Sequence, residues 1–418
     1  MYFWRFFMRR AKRHFRKGRS DLTTLYLIRH AEAEGNLYRR IQGQWDGEVT
    51  PRGRGQIEAL AERFRTVPLD AVYSSDLRRT IETAGALLQY HDVPLHTTPR
   101  LREIYMGAWE GLTWGDADHA APEQMFFFNH DPARWSVPGA EPYSVVEQRI
   151  TAALNDIAAR HPDGTVAVVS HGTAIRTYLA ARLGIESKNI GTLAHGDNTC
   201  VAKLLFEDGA VQVAYHNDAS HLPEALSTFN RQTWWKGVDR DPGNLRMEQM
   251  QFSRDASFYL DCYRDAWRTI HGSEEGFAPQ LYLASAQRHA RTPHAVMRLM
   301  SGDTPVGMIE LDERHPGADG RLWISFLYLK PEARGQGWGV QLLGHAVWYC
   351  ETRGFSGIRL HCAAANEHAN GFYKHYGFTC VGEDAGVRGR LLKLQKDVRG
   401  RGVKPVGPET IHWKEHAE

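Results

Sequence analysis

Two segments, far apart in the chain, each put reactive or ligand-holding residues straight after an apolar strand. Together they exclude a single small fold. Residues 25–30 read Leu-Tyr-Leu-Ile-Arg-His, so one strand ends in a guanidinium and an imidazole. Residues 334–339 read Arg-Gly-Gln-Gly-Trp-Gly, a glycine-rich turn ahead of a helical pattern. The first pair suits a phosphoryl-accepting histidine, and the second suits a pyrophosphate held on backbone amides at a helix start. With 418 residues, at roughly 150 per domain, two or three domains are expected, and the two signatures point to a fusion of two enzymes.

Alternating patterns fill in the first unit. Apolar strands are expected at 24–28, 71–73, 165–169 and 200–206, and amphipathic helices at 52–64, 77–89, 145–159 and 173–183. Such alternation implies an α/β sheet with helices on its faces. The rhythm stops at 231–252, where Asp239-Arg-Asp-Pro-Gly-Asn244 is turn chemistry. The expected organisation is therefore a unit at 21–230, a linker at 231–252 and a second unit at 253–398, with tails at 1–20 and 399–418. In the second unit, helices are expected at 256–270 and 278–289 and hairpin-spaced strands at 295–300, 306–311 and 322–329. A helix at 337–353, a strand at 358–362, a helix at 367–376 and a strand at 379–382 follow.

Composition narrows the setting. Lys and Arg number 51 against 49 Asp and Glu, so the chain carries no nucleic-acid signature. No run approaches the ~18–20 apolar residues of a membrane span. Five scattered cysteines form no C-x-x-C, which fits a reducing cytoplasm better than a disulfide framework or zinc site. The first twenty residues depart from this. Six of Tyr2–Met8 are aromatic or apolar, and seven Lys or Arg follow without an acidic residue. A loose tail or a start codon placed too far upstream is the favoured reading, with contact to an anionic lipid surface as the alternative.

Three strand ends of the first unit carry reactive groups. They are Arg29-His30, Ser74-Ser75-Asp76 with Arg79 beyond, and Ser170-His171-Gly172. A parallel sheet gathers such ends at one edge. Two guanidiniums and a second imidazole can clamp a phosphoryl group while a neutral imidazole attacks phosphorus. The departing alkoxide needs a proton, for which Glu103 is the candidate, with Glu110 as its rival. No metal cluster accompanies these residues, so cationic side chains must neutralise the phosphate. His195, His216 and His221 are read as non-catalytic, with His221 near the pocket.

These motifs resemble the histidine phosphatase, or phosphoglycerate-mutase-like, superfamily. The resemblance rests on Arg29-His30-Ala31 through Asn36, Arg40-Ile-Gln-Gly43, Ser74-Ser75-Asp-Leu-Arg-Arg79, Glu103 and Ser170-His171-Gly172. It implies a three-layer α/β/α domain with a mostly parallel sheet. It further implies His30 as phosphoacceptor, Glu103 as acid, Arg29, Arg79 and His171 on the phosphate, and Asn36 and Gln42 lining the pocket. Mutases of the family carry a longer insertion between the acid and the second histidine. The short interval here favours hydrolysis of a small phosphomonoester, with a phosphomutase as the alternative. Met125-Phe126-Phe127-Phe128 and Trp135 are expected to form an apolar cap.

The second unit resembles the GNAT N-acetyltransferases, a mixed α/β fold. Arg334, Gly337 and Gly339 match one motif of that family, and Asn366, Ala369, Tyr373 and Gly377-Phe378 match another. The resemblance implies acetyl-CoA as cosubstrate, its pyrophosphate on Arg334, Gly335, Gln336, Gly337 and Gly339. Leu327 and Leu329 would lie along its pantetheine, and Asn366 in the cofactor site. A splayed strand is required for that mode. Tyr373 would reprotonate the thiolate, and Glu310 is a candidate base or a structural carboxylate. The acceptor is an unidentified amine. The expected protein is a metal-independent, bifunctional phosphatase and acetyltransferase, with a regulatory acyl-CoA-binding second half as the alternative.

Overall fold

In the computed structural model, residues 22–236, 241–386 and 389–398 are described. The expectations for residues 1–20 and 399–418 lie outside them. No helix among the described residues is long and apolar enough to cross a membrane.

In chain order the first domain comprises β1 (Thr23–Arg29), α1 (Glu34–Tyr38), α2 (Pro51–Phe64), β2 (Ala71–Ser74), α3 (Arg78–Leu88) and β3 (Leu95–Thr97). It continues with α4 (Trp114–Ala120), α5 (Pro122–His130), α6 (Tyr143–Arg160), β4 (Thr165–Ser170), α7 (Gly172–Arg182), β5 (Val201–Glu207) and β6 (Ala210–Asp218). The sheet runs β3-β2-β4-β1-β5-β6. β3, β2, β4 and β1 are parallel, and the last two strands are antiparallel. Side-chain alternation assigns the faces. Leu25, Leu27, Val166 and Val168 pack with Ile150, Leu154 and Tyr178 of α6 and α7. Ile28, Val72, Ala167 and Val169 pack with Leu60, Phe64 and Leu87 of α2 and α3. This is the expected α/β/α sandwich.

The second domain comprises β7 (Arg246–Gln249), α8 (Phe252–His271), α9 (Pro279–His289), β8 (Val296–Ser301), β9 (Thr304–Asp312) and β10 (Leu322–Leu329). Then come α10 (Gly339–Arg353), β11 (Gly357–Ala363), α11 (Glu367–His375), β12 (Thr379–Gly386) and β13 (Gly389–Asp397). Its sheet runs β12-β13-β11-β10-β9-β8-β7. Only the pair β10–β11 is parallel. The segment read as a linker is therefore shorter than expected. Residues 246–249 pair with β8 and close one edge of the second sheet.

Nor are the domains joined by a loose tether. The Tyr38 ring, at the end of α1, lies on Gly344 of α10, where a Cβ would overlap it. Tyr38 belongs to the second domain's core, with Leu342, Leu343 and Val347. Thr113 donates its hydroxyl to the Leu245 carbonyl (2.9 Å), and Asp116 accepts the Met247 N–H (2.8 Å). The Arg40 guanidinium is fully buried between the two, donating to the Gly111 carbonyl and to His345 Nδ1 while lying over Trp348. Burial, with Arg40 second, pushes His345 down to about 3, so the ring is neutral and can accept that bond.

Candidate active sites

The carboxyl edge of the first sheet gathers the expected phosphate-site residues. β1 ends at Arg29 and delivers His30, and β4 ends at Ser170 and delivers His171. The two strands are in register at Arg29 and Ser170, and the imidazoles stand 5.2 Å apart. Both rings are buried. His30 Nδ1 lies 2.7 Å from the Ala31 carbonyl, which can only accept. The proton is therefore on Nδ1 and the lone pair is on Nε2. Burial, then the charges of Arg79 and Arg29, holds His30 well below the ordinary imidazole range, so the ring is a neutral nucleophile. Burial followed by Arg79 and His30 does the same to His171, and neither of its nitrogens has a hydrogen-bond partner among the described residues.

The guanidiniums are aimed by main-chain carbonyls. Arg79 donates to Trp45 O (2.8 Å) and Gly43 O (2.7 Å), and Arg29 donates to Gly196 O (2.6 Å). The Nε of each is buried with no partner among the described residues, leaving a donor for an oxyanion. Asn36 and Gln42 line the same cavity with Arg29, His30, Arg79 and Glu103.

The two carboxylates separate clearly. Glu103 lines the cavity and accepts N–H groups from Thr173 (3.0 Å) and Ala174 (2.9 Å) at the start of α7. Glu110 instead braces the loop at 43–46, accepting from Gln44, Trp45 and Met106. Burial pushes Glu110 up to about 7 despite those bonds.

The cavity has a volume of about 750 Å³, far more than a phosphoryl group needs. Its cap is more polar than expected. Phe127 and Trp135 are buried in the domain core, while Met125, Phe126 and Phe128 reach the cavity beside Asp118, His119, Asn129 and His130. His195, read from the sequence as non-catalytic, also lines it, edge-on to Trp234. His221, expected near the pocket, instead contacts Arg63 and Thr199 and is not among its lining residues. The second domain contributes Leu245, Arg246 and the turn at 300–303 to the same wall.

In the second domain β10 and β11 pair only at 322–324 with 358–360, though both strands run on, to Leu329 and Ala363. A register shift between Ile324 and Phe326 marks where β10 bends away. The strands therefore splay, as the resemblance requires, and Leu327 and Leu329 lie on the free part of β10. The turn beyond it holds Gly335 (φ +78°) and Gly337 (φ +74°) in the left-handed region and leads into α10 at Gly339. Arg334 donates to Leu329 O (3.0 Å), and Gln336 reaches back to Glu332 O. Asn366 caps α11, accepting the Ala369 N–H (3.1 Å), so its side-chain oxygen serves that helix. Tyr373 is buried. Burial, then Cys362, raises its phenol above the ordinary range, which keeps its proton in place. Glu310 is closed off: Tyr259 (2.7 Å) and Tyr263 (2.9 Å) donate to one oxygen and His289 (2.7 Å) meets the other.

A cluster of two imidazoles and two guanidiniums at the edge of an α/β/α sheet is thus followed by a splayed-strand domain. The family comparisons agree. A model of the histidine phosphatase superfamily (branch 1) matches residues 25–219, and one of the acetyltransferase (GNAT) family matches 257–378. Phosphoserine phosphatase 1 of Hydrogenobacter thermophilus is 30% identical over 203 residues, 49% of this chain and 96% of that protein. Glucosyl-3-phosphoglycerate phosphatase of Mycolicibacterium vanbaalenii is 33% identical over 210 residues, 49% of this chain and 89% of that one. A metal-independent phosphoserine phosphatase of Arabidopsis thaliana is 34% identical over 222 residues, 51% of this chain and 90% of that one. The chain belongs to the histidine phosphatase superfamily and carries a GNAT acetyltransferase domain behind the phosphatase domain.

Proposed function

We propose that the first domain hydrolyses a phosphomonoester through a phosphohistidine at His30, and that the second transfers the acetyl group of acetyl-CoA to an amine. The observation that carries the first half is the meeting of neutral His30, His171, two carbonyl-aimed arginines and Glu103 at one sheet edge. His30 Nε2 attacks phosphorus and the bond to the ester oxygen breaks. Arg29, Arg79 and His171 hold the equatorial oxygens, and Glu103 gives its proton to the departing alkoxide. Water then attacks the phosphohistidine, Glu103 takes a proton from that water, and the N–P bond breaks to restore neutral His30. Cationic side chains carry the neutralising charge in this scheme. Among the described residues no cluster of His, Cys, Asp and Glu forms a metal site.

Two of the relatives are named for phosphoserine and one for glucosyl-3-phosphoglycerate. Phosphorylated hydroxy acids and sugar-bearing phosphoesters are therefore the first substrates to offer. The large cavity favours a body beyond the phosphate, and the short interval from Glu103 to His171 favours hydrolysis over a mutase.

For the second half, the splay of β10 from β11 and the left-handed glycine turn fit pantetheine and pyrophosphate. Acetyl-CoA supplies an activated acyl group. The amine nitrogen forms a bond to the acyl carbon as the C–S bond breaks, the nitrogen gives up a proton to water, Tyr373 protonates the thiolate, and the tyrosinate recovers a proton from water. The test is a panel of phosphomonoesters assayed for inorganic phosphate, each product then offered with acetyl-CoA and assayed for free thiol. Phosphate release without thiol release from any product or other amine would leave the phosphatase reading standing alone.

A further inference from the structure

The sequence places a linker at 231–252 between two enzymes, and the two domains pack against each other across it. The segment at 34–46 belongs to the phosphatase domain. It contains Asn36 and Gln42 of the cavity wall and the carbonyls of Gly43 and Trp45 that orient Arg79. Its outer side is held by the acetyltransferase domain. Tyr38 rests on Gly344, Arg40 is clasped by His345 and Trp348, and the Trp45 indole N–H donates to Glu351 Oε2 at 2.7 Å. All four partners lie on α10, the helix that begins at the glycine turn. Trp45 and Glu351 are both buried, at 3% and 9% exposure, so water does not substitute readily for either.

Resting on the phosphatase reading above, we propose that Glu351 of the acetyltransferase domain is a positioning residue for the phosphatase site. It acts through Trp45 on Arg79. One residue supplies both links: the Trp45 side chain binds Glu351, and its main-chain carbonyl receives the Arg79 guanidinium. Glu110 contributes from the opposite side by accepting the Trp45 N–H at 2.9 Å. Loss of Glu351 leaves a buried indole N–H without its acceptor, and the loop must shift to find another. A small displacement of Arg79 then loosens the clamp on the phosphate, because phosphoryl transfer depends on placement more than on any covalent help from the protein.

The test is a double-mutant cycle in the full chain with Trp45→Phe and Glu351→Ala, read by orthovanadate affinity and by kcat and KM on p-nitrophenyl phosphate. Each single variant should weaken vanadate binding by about tenfold or more, and the double variant should be no worse than the weaker single. Glu351→Gln, which keeps an oxygen acceptor, should stay within about threefold of the parent protein. Acetyl-CoA affinity should be unchanged in all of them, since the glycine turn is at the other end of α10, and this confirms folding. Single variants with parental vanadate affinity, losses that simply add, or a Glu351→Gln as weak as Glu351→Ala would each overturn the proposal. A parent protein that binds no vanadate would instead sink the phosphatase reading.

Discussion

The two candidate sites are built from different atoms. At the phosphate site nearly every group that meets the ligand is a side chain, drawn from β1, β4 and the start of α3. Main-chain carbonyls only aim them. At the acyl site the groups that matter most are backbone, exposed where β10 leaves β11 and where Gly335 and Gly337 turn left-handed. A phosphoryl group carries concentrated charge and needs cations from several directions, which only long side chains can supply. A pyrophosphate joined to a long pantetheine needs a track of N–H and C=O groups, which a splayed strand and a helix start provide. Substitution should therefore be catastrophic at single side chains of the first site and graded at the second.

The largest expected effect is His30→Ala, which should lower phosphatase kcat by about three orders of magnitude or more. Acetyl-CoA affinity should not change. Acid-labile, base-stable phosphate should be trapped on the parent protein and not on the variant. Near-normal turnover by His30→Ala would remove the phosphohistidine from the scheme.

Next comes Tyr373→Phe, the one side chain at the acyl site on which the chemistry is expected to depend. It should lower acetyl-transfer kcat on the order of 10²-fold with acetyl-CoA affinity intact. Parental kcat would make the second site purely a matter of backbone. Gly337→Val should act in the opposite sense. Forcing a branched side chain to φ +74° costs about 1–2 kcal/mol, so acetyl-CoA should bind roughly tenfold more weakly. Calorimetry showing undiminished affinity would refute the backbone cradle.

Acidity sharpens the contrast further. His30 is held below its ordinary value, so its neutral form survives as pH falls through 6.5 and is lost only at lower pH. The acid limb of phosphatase kcat/KM should lie below pH 6.5. A limb centred at or above 6.5 would mean that His30 is not in the environment described. The smallest effect is expected from chelation: EDTA should leave phosphatase turnover unchanged, and strong inhibition would reveal a metal that the side-chain clamp does not need.

This difference in construction also explains what could be read from the sequence. His30, His171 and Arg79 were legible because parallel strands present their ends to one edge, so a reactive residue after an apolar run is informative, whereas Glu103 follows no strand and was pointed to by the family resemblance. β7 was missed because Arg246-Met-Glu-Gln has no apolar run, and its strand character comes from pairing with β8. The hairpin partners β6 and β13 were missed for a similar reason: neither carries a continuous apolar run, and both are largely half-exposed. His195 sits in a loop with no periodicity to place it, Tyr38 and Trp45 looked like ordinary residues beside a motif, and Arg40 was read only as part of that motif. Their partners on α10 lie about 300 residues away, and no local pattern encodes such a pairing.

That separation has a consequence for how the chain comes to be active. Trp45 and Glu351 are 306 residues apart. At about 5–20 residues per second, a ribosome needs about 15–60 s to travel between them. During that interval the first sheet can form, yet Tyr38, Arg40 and Trp45 have nothing to rest against. The nascent phosphatase domain emerges with an apolar and cationic edge uncovered, and on the proposal above its phosphate clamp is completed when the helix from the second domain arrives.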